Sequence, residues 1–119
     1  FGLNGDPAVS KAWETRTILD DSVKQSNQAG YLTYAMGGPN TRTTQIFINK
    51  VDNSRLDGMG FAPFAKIIDG LHVVEQFYGG YGDGGRGGPD QRMIREQGNG
   101  YLDRQFPKLD SIVKARVIK

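Results

Sequence analysis

Gln45 and Phe47, two positions apart, are the side chains of this sequence best suited to bind a peptide. Side chains at i and i+2 of a strand lie on one face of a sheet. A side-chain amide can hydrogen-bond a peptide backbone, and an aromatic ring beside it offers an apolar surface. The pair therefore predicts a groove that holds an apolar ring. Composition alone also fits a core position for Phe47 and a solvated strand position for Gln45, and both alternatives stay open at this point.

Three strands are predicted around this pair. Residues 30–36 and 45–50 are rich in β-branched and aromatic types, and the sequence Gly37-Gly38-Pro39-Asn40 predicts a turn after the first of them. Residues 61–68 form the third strand. Pro63 cannot donate a ladder hydrogen bond, so we expect it at a sheet edge or a bulge.

Two helices are predicted after these strands. Asp69 is expected to cap a helix at residues 70–78, where apolar residues recur at helical spacing. Pro89 lies near the first turn of a second helix at residues 89–104.

The two ends of the chain have different patterns. Residues 111–118 alternate apolar and basic side chains, which predicts a half-exposed strand. Residues 3–29 show little periodicity and are predicted to be loop, with a short packed segment at Ile18 and Leu19. Asn4-Gly5-Asp6-Pro7 is a turn signal within this loop.

Composition indicates one domain over residues 1–119 with many turns, since 17 of the 119 residues are glycine. The net charge of +2 gives no electrostatic reason to expect a nucleic acid or a membrane as partner. Cysteine is absent from the sequence, which excludes disulfides, thiol catalysis and cysteine-based zinc sites. No apolar run approaches the length of a membrane span.

The stretch around Gln45 and Phe47 resembles the central part of the cyclophilin family of peptidyl-prolyl cis-trans isomerases. The matching positions in this stretch are Gly30, Leu32, Ala35, Gly38, Pro39, Asn40, Thr41, Gln45, Phe47 and Ile48. The resemblance continues through Leu56-Asp57-Gly58, Phe61-Ala62-Pro63-Phe64 and Ile68-Asp69-Gly70-Leu71-His72-Val73-Val74. It covers the chain from Phe1 to about Tyr78 and returns near residues 112–118.

The resemblance implies a mainly β fold, an antiparallel β-barrel with two helices. It implies an isomerase that rotates X–Pro peptide bonds in proline-containing peptides or unfolded chains and so assists folding. Such a reaction breaks no bond and implies no cofactor and no metal. The competing hypothesis is a non-catalytic proline-peptide-binding module, and a purely structural β-domain is a third.

The resemblance also implies roles for particular residues. Phe47 would form the floor of the proline pocket and Gln45 would hydrogen-bond the substrate backbone, so these two are the candidate catalytic residues. The expected substrate-binding residues are Ala35, Met36, Gly37, Arg55, Leu56 and Phe61. Three of these depart from the family pattern. Arg55 stands where the family often has tryptophan, Met36 replaces the usual asparagine, and Phe61 lies in the region of the pocket histidine.

The family pattern also carries an arginine upstream of the Phe-Gly with which this chain begins. By resemblance that arginine donates to the prolyl nitrogen as amide resonance is lost. We therefore expect a truncated cyclophilin without the first strands and first helix. Such a chain should be weak or inactive as an enzyme and, with open sheet edges, unstable or prone to associate. A sharp, concentration-independent melting transition would contradict the last expectation.

Three other features are predicted to have no part in the chemistry. His72, the single histidine, is expected on the surface of a helix or in helix packing. Asp57 and Asp69 are interpreted as a turn residue and a helix cap. The G-x-G-x-x-G match at residues 80–85 follows a predicted helix, whereas a dinucleotide-binding fingerprint follows a strand, so it is interpreted as a flexible connector.

Overall fold

The structure is a computed structural model that describes residues 1–118. These residues contain α-helices, short 3₁₀ helices and one three-stranded sheet. The α-helices are α1 (Pro7–Trp13), α2 (Leu71–Glu75), α3 (Gln91–Gln97) and α4 (Asn99–Gln105). The strands are β1 (Tyr31–Tyr34), β2 (Ile46–Ile48) and β3 (Pro63–Lys66), and the 3₁₀ helices cover Ser54–Met59 and Gly84–Arg86.

The sheet is antiparallel, with β1 between β2 and β3. In the register, Thr33 of β1 lies opposite Phe47 of β2 and opposite Pro63 of β3. The pairing of β1 with β3 shifts between Leu32 and Thr33. Pro63 therefore lies both on an edge strand and beside an irregularity, as the sequence predicts. The three strands are confirmed but are shorter than predicted.

The antiparallel sheet agrees with the expected fold, but its extent does not. More of the described residues lie in α-helices than in strands, and four α-helices are present among residues 1–118 where two were expected. The described strands form an open sheet. On the outer edge of β2, the Phe1 ammonium donates to the Ile46 oxygen at 3.0 Å and the Ile46 N–H donates to the Phe1 oxygen at 3.0 Å.

Helix α1 corrects the prediction that residues 3–29 are loop throughout. Asp6 is the N-cap, and its carboxylate accepts the Ala8 N–H at 2.8 Å. Pro7 occupies the first helical turn, where its missing N–H has no cost. The Asn-Gly-Asp-Pro sequence, interpreted as a turn, is thus a helix start.

The two predicted helices differ from the structure at their ends. The N-cap of α2 is Gly70, with φ of 80°, rather than Asp69, because glycine tolerates the left-handed region. Instead, the Asp69 carboxylate accepts the N–H of Gly70 at 2.8 Å. The helix predicted at residues 89–104 is divided into α3 and α4 by Gly98, whose φ is 55° and ψ is −138°.

The predicted strand at residues 111–118 is wrong. Val113 and Val117 are 95% and 92% exposed, and this segment pairs with no strand in the described part of the chain. Alternation shows which side chains share a face, but a strand also needs a partner for its backbone groups. The expected packing of Ile18 and Leu19 is also wrong, since they are 43% and 78% exposed.

The buried residues fall into an apolar and a polar group. Ala62, Val74, Tyr101 and Phe106 are the buried hydrophobic side chains. Asn27, Thr33 and Asn49 are fully buried, and their side chains are linked by hydrogen bonds. Within residues 1–118, no helix is long and apolar enough to span a bilayer.

Candidate functional site

Pairing of β1 with β2 sets Gln45 and Phe47 against the first strand. Phe47 lies opposite Thr33, and two pairs further along, the Ala35 N–H donates to the main-chain oxygen of Gln45 at 2.9 Å. Strand alternation then places Gln45 and Phe47 on the same face of the sheet. Both are half-buried.

An open groove of about 510 Å³ lies beside Gln45. Four residues expected at the site line it together: Ala35, Met36, Gly37 and Gln45. The sequence analysis missed its other lining residues. These are Glu14 and Thr17 after α1, Thr41 and Thr43 between β1 and β2, and Gln91 and Arg95 on α3.

Phe47 and Phe61 form an apolar cluster outside the lining of that groove, and Leu56 is joined to Phe61 through the main chain. The Phe47 and Phe61 rings pack edge to face, with centroids 6.0 Å apart. The Phe61 N–H donates to the Leu56 oxygen at 3.3 Å, which ties the 3₁₀ helix to the start of β3. All three residues are half-buried, whereas Arg55 is exposed on the same 3₁₀ helix.

A buried asparagine holds this apolar cluster to the sheet. Asn27 is 0% exposed, and its Nδ2 donates to the Phe61 oxygen and to Asp57 Oδ1, both at 2.7 Å. Its Oδ1 accepts the Thr33 hydroxyl at 2.7 Å. The sequence analysis missed Asn27 because a polar residue in an aperiodic segment carries no signal of burial.

Asp57, predicted to be a turn residue, also accepts hydrogen bonds from this network. The Ser26 hydroxyl donates to Oδ2 at 2.5 Å, and the Asn27 N–H donates to Oδ1 at 2.9 Å. These hydrogen bonds, first from Ser26 and then from Asn27, hold the pKa of the Asp57 carboxyl below its usual value. Asp57 thus anchors the 3₁₀ helix that carries Arg55 and Leu56.

Arg42 anchors the other end of the groove. Its side chain is 5% exposed, Nε lies 3.2 Å from Asp20 Oδ1, and the guanidinium donates to Asp21 Oδ2 and to the Leu19 oxygen. The contact between Arg42 Nε and Asp20 is an ion pair, but its geometry does not form a hydrogen bond. Asp20 in turn exchanges two hydrogen bonds with Asn40, at 2.7 and 2.9 Å.

Thr41 closes the turn that these contacts support. Its hydroxyl donates to the Gly38 oxygen at 2.7 Å and accepts the Gly37 N–H at 2.9 Å. The sequence predicts the turn but not the two carboxylates and the buried guanidinium that hold it. This turn fixes the main chain of Met36 and Gly37 beside Gln45.

Helix α3 extends the site beyond the predicted residues. Gln91 Oε1 lies 3.4 Å from Gln45 Nε2 and 3.4 Å from Arg95 Nη2. Helices α1 and α3 pack against each other, so Glu14 and Arg95 reach the same groove.

The remaining features do not line the groove. His72 is exposed on α2, as predicted. The glycine-rich segment follows α2 and contains a 3₁₀ helix at Gly84–Arg86, which gives it no dinucleotide-binding context. Residues 1–118 contain no cluster of three or more side chains able to hold a metal ion.

Comparison with known proteins identifies the family of this chain. The family model described as cyclophilin type peptidyl-prolyl cis-trans isomerase matches residues 3–96. Among curated proteins, peptidyl-prolyl cis-trans isomerase B of Escherichia coli (strain K12) is 40% identical over 48 residues. That match covers 34% of this chain and 29% of the relative, so the chain spans less than a third of that relative's length.

Proposed function

This chain belongs to the cyclophilin-type peptidyl-prolyl cis-trans isomerase family, and we propose that it catalyses rotation about X–Pro bonds in flexible or unfolded chains, which assists their folding. One arrangement carries the proposal. Strand pairing brings Gln45 to the groove of Ala35, Met36 and Gly37, and on the same sheet face Phe47 packs against Phe61.

This arrangement suits the chemistry of prolyl isomerisation. Amide resonance imposes a barrier of about 18–20 kcal/mol on rotation about the peptide bond. No bond is broken, so the protein needs an apolar surface for the proline ring and donors that favour the twisted amide over the planar one.

We assign the apolar and polar roles to different parts of the site. The Phe47 ring forms the floor for the proline, with Leu56 and Phe61 beside it and Arg55 at the exposed border. The Gln45 amide donates to the substrate backbone.

Ala35, Met36 and Gly37 border the bound peptide. The main chain of Met36 pairs with it as a further strand would.

The closed antiparallel barrel is part of this proposal. It is supported by family membership and by the hydrogen bonds of Phe1 to the outer edge of β2, which extend the sheet beyond its three strands.

A non-catalytic proline-binding module is the second candidate. Gln45 and Phe47 suffice for peptide recognition, whereas the arginine that the family resemblance implies as donor to the prolyl nitrogen matches no residue of this chain. Loss of one such donor commonly lowers the rate by about 10²–10³.

Exchange spectroscopy on a short Ala-Pro peptide tests the proposal. The cis–trans exchange rate of the peptide is measured with two forms of the protein. One is the chain alone, and the other is the chain joined to the arginine-bearing segment that family members carry before the Phe-Gly. We expect faster cis–trans exchange in the joined form, lost on Phe47→Ala and on Gln45→Ala. Phe64→Ala is the matched control, since Phe64 packs on Tyr34 instead, with ring centroids 4.6 Å apart.

The outcomes separate the two candidates. Peptide chemical-shift changes without faster exchange in either form would overturn the enzyme proposal in favour of the binding module. No peptide-induced shift in either form would overturn both.

A further inference from the structure

Two charged side chains of opposite sign line the groove that contains Met36 and Gln45. Glu14 comes from the end of α1 and Arg95 from the last turn of α3. Neither side chain has a role in the proposed isomerisation, so both are free to interact with charged side chains of a bound peptide.

Arg95 has spare hydrogen-bonding capacity in a half-buried position. Its guanidinium donates to Gln91 Oε1 at 3.4 Å, a neutral acceptor at the long end of the hydrogen-bond range. Over residues 1–118, no carboxylate lies within 4.0 Å of it. Arg42 and Arg92, by contrast, each have a carboxylate partner.

A guanidinium has five N–H donors arranged to match a carboxylate. The Gln91 contact uses one of them and leaves the rest for a ligand. Because Arg95 is half-buried, water screens its charge less than it screens a fully exposed side chain.

Glu14 is exposed, and in the described part of the chain no cation lies within 4.0 Å of it. Its charge opposes that of Arg95 in the same groove. Because water screens the exposed Glu14 carboxylate more than the half-buried Arg95 guanidinium, Arg95 has the larger electrostatic effect on a bound peptide.

We propose that Arg95 binds an acidic side chain of the substrate, so that the groove prefers proline peptides with a nearby Asp or Glu and Glu14 limits that preference. This inference rests on the proposed peptide-binding function of the same groove. Gln91 links the two parts of the site, because its Oε1 contacts both Arg95 and Gln45. An acidic peptide held by Arg95 therefore lies within reach of the Gln45 amide.

The test uses peptides that differ at one position. Glu, Gln or Lys is placed in turn at each of the three positions on either side of the proline, and dissociation constants are measured by NMR titration at 20 and 300 mM salt. At one position or more, we expect Glu to bind about 2- to 5-fold more tightly than Gln at low salt, with Lys weaker than Gln. The preference should shrink at high salt.

Variants identify the residue responsible. Arg95→Gln should abolish the preference for Glu peptides over Gln peptides. Arg95→Lys should keep part of it, because a charge remains without the planar fork. Glu14→Gln should enlarge it. Arg92→Gln is the matched control, since Arg92 lies on the same helix and pairs with Glu96 outside the groove.

Each result has a defined meaning. If Gln peptides bind the wild-type protein and Glu peptides bind no more tightly at any position, this inference is overturned and the proposed function still stands. A preference that survives Arg95→Gln would also overturn it. Failure of all peptides to bind would overturn both.

Discussion

The side-chain amide nitrogen of Asn27 lies 2.7 Å from the main-chain oxygen of Phe61. Phe61 in turn packs edge to face against Phe47, on which the proposed function places the proline ring. A buried polar side chain outside the groove thus sets the position of an aromatic side chain within the site. Buried amides are retained where every donor and acceptor has a partner, and Asn27 meets this condition through Asp57, Phe61 and Thr33.

Asn27→Ala should lower the free energy of unfolding by about 1–3 kcal/mol, because it leaves the Thr33 hydroxyl and the Phe61 carbonyl without their partner. Urea unfolding measures the change. Gln28→Ala is the control, since the neighbouring Gln28 is exposed and its side chain makes no hydrogen bond within residues 1–118. Equal unfolding midpoints for the two variants would show that the Asn27 network contributes nothing.

Asp57 should make stability depend on pH in the acid range. Hydrogen bonds from Ser26 and Asn27 lower its pKa in the folded protein, so its stabilising effect is fully present above the unfolded pKa of about 3.9. The effect is lost as the pH falls through the lower folded pKa. Urea midpoints between pH 6 and pH 2 should show wild type losing its advantage over Asp57→Asn as the pH falls. A constant gap between them across this range would contradict the assignment.

The sequence predicts the part of the site that local patterns control. The strands around Gln45 and Phe47, the turn after Met36 and the edge position of Pro63 all follow from residue type and a period of two. Helix α1 was predictable too, because Asp6 and Pro7 are a cap and a first-turn residue.

Long-range contacts could not be predicted in this way. Asn27 meets Phe61 and Asp57 across 34 and 30 residues, and Gln45 meets Gln91 across 46. Nothing in the local pattern of α3 indicates that Arg95 reaches the groove. The segment at residues 111–118 fails for the same reason, since strand formation depends on a partner that alternation alone does not supply.

Gly98→Ala should destabilise the protein far more than Gly100→Ala. Gly98 has φ of 55°, and a Cβ there would overlap the main-chain oxygen of Gly5. The same junction carries the hydrogen bond from the Asn99 N–H to the Gly5 oxygen, at 2.9 Å. Gly100 lies inside α4, and a Cβ there meets only Arg104 Nη1 at 3.7 Å.

We expect thermal denaturation to show a lower melting temperature for Gly98→Ala. Gly100→Ala should gain about 0.5–1 kcal/mol from helix propensity. A Gly98→Ala variant as stable as wild type would mean that the α3–α4 junction tolerates a side chain.

Arg42 and Arg92 allow the effect of burial on an ion pair to be measured within one protein. The Arg42 side chain is 5% exposed and pairs with Asp20, whereas the Arg92 side chain is 71% exposed and pairs with Glu96 four residues on. Arg42→Gln removes a buried cation and leaves the Leu19 oxygen without its donor, so the free energy of unfolding should fall by about 1–3 kcal/mol. Arg92→Gln should change it by at most about 0.5 kcal/mol.

The two variants should differ in peptide binding as well as in stability. Arg42 holds Asp20, which holds Asn40 in the turn beside the groove, so Arg42→Gln should weaken Ala-Pro peptide binding in conditions where the variant is still folded. Parallel urea unfolding and NMR titration of both variants measure the two effects. Equal losses of stability would show that burial does not distinguish the pairs. Unchanged peptide affinity in folded Arg42→Gln would show that the groove keeps its shape without this anchor.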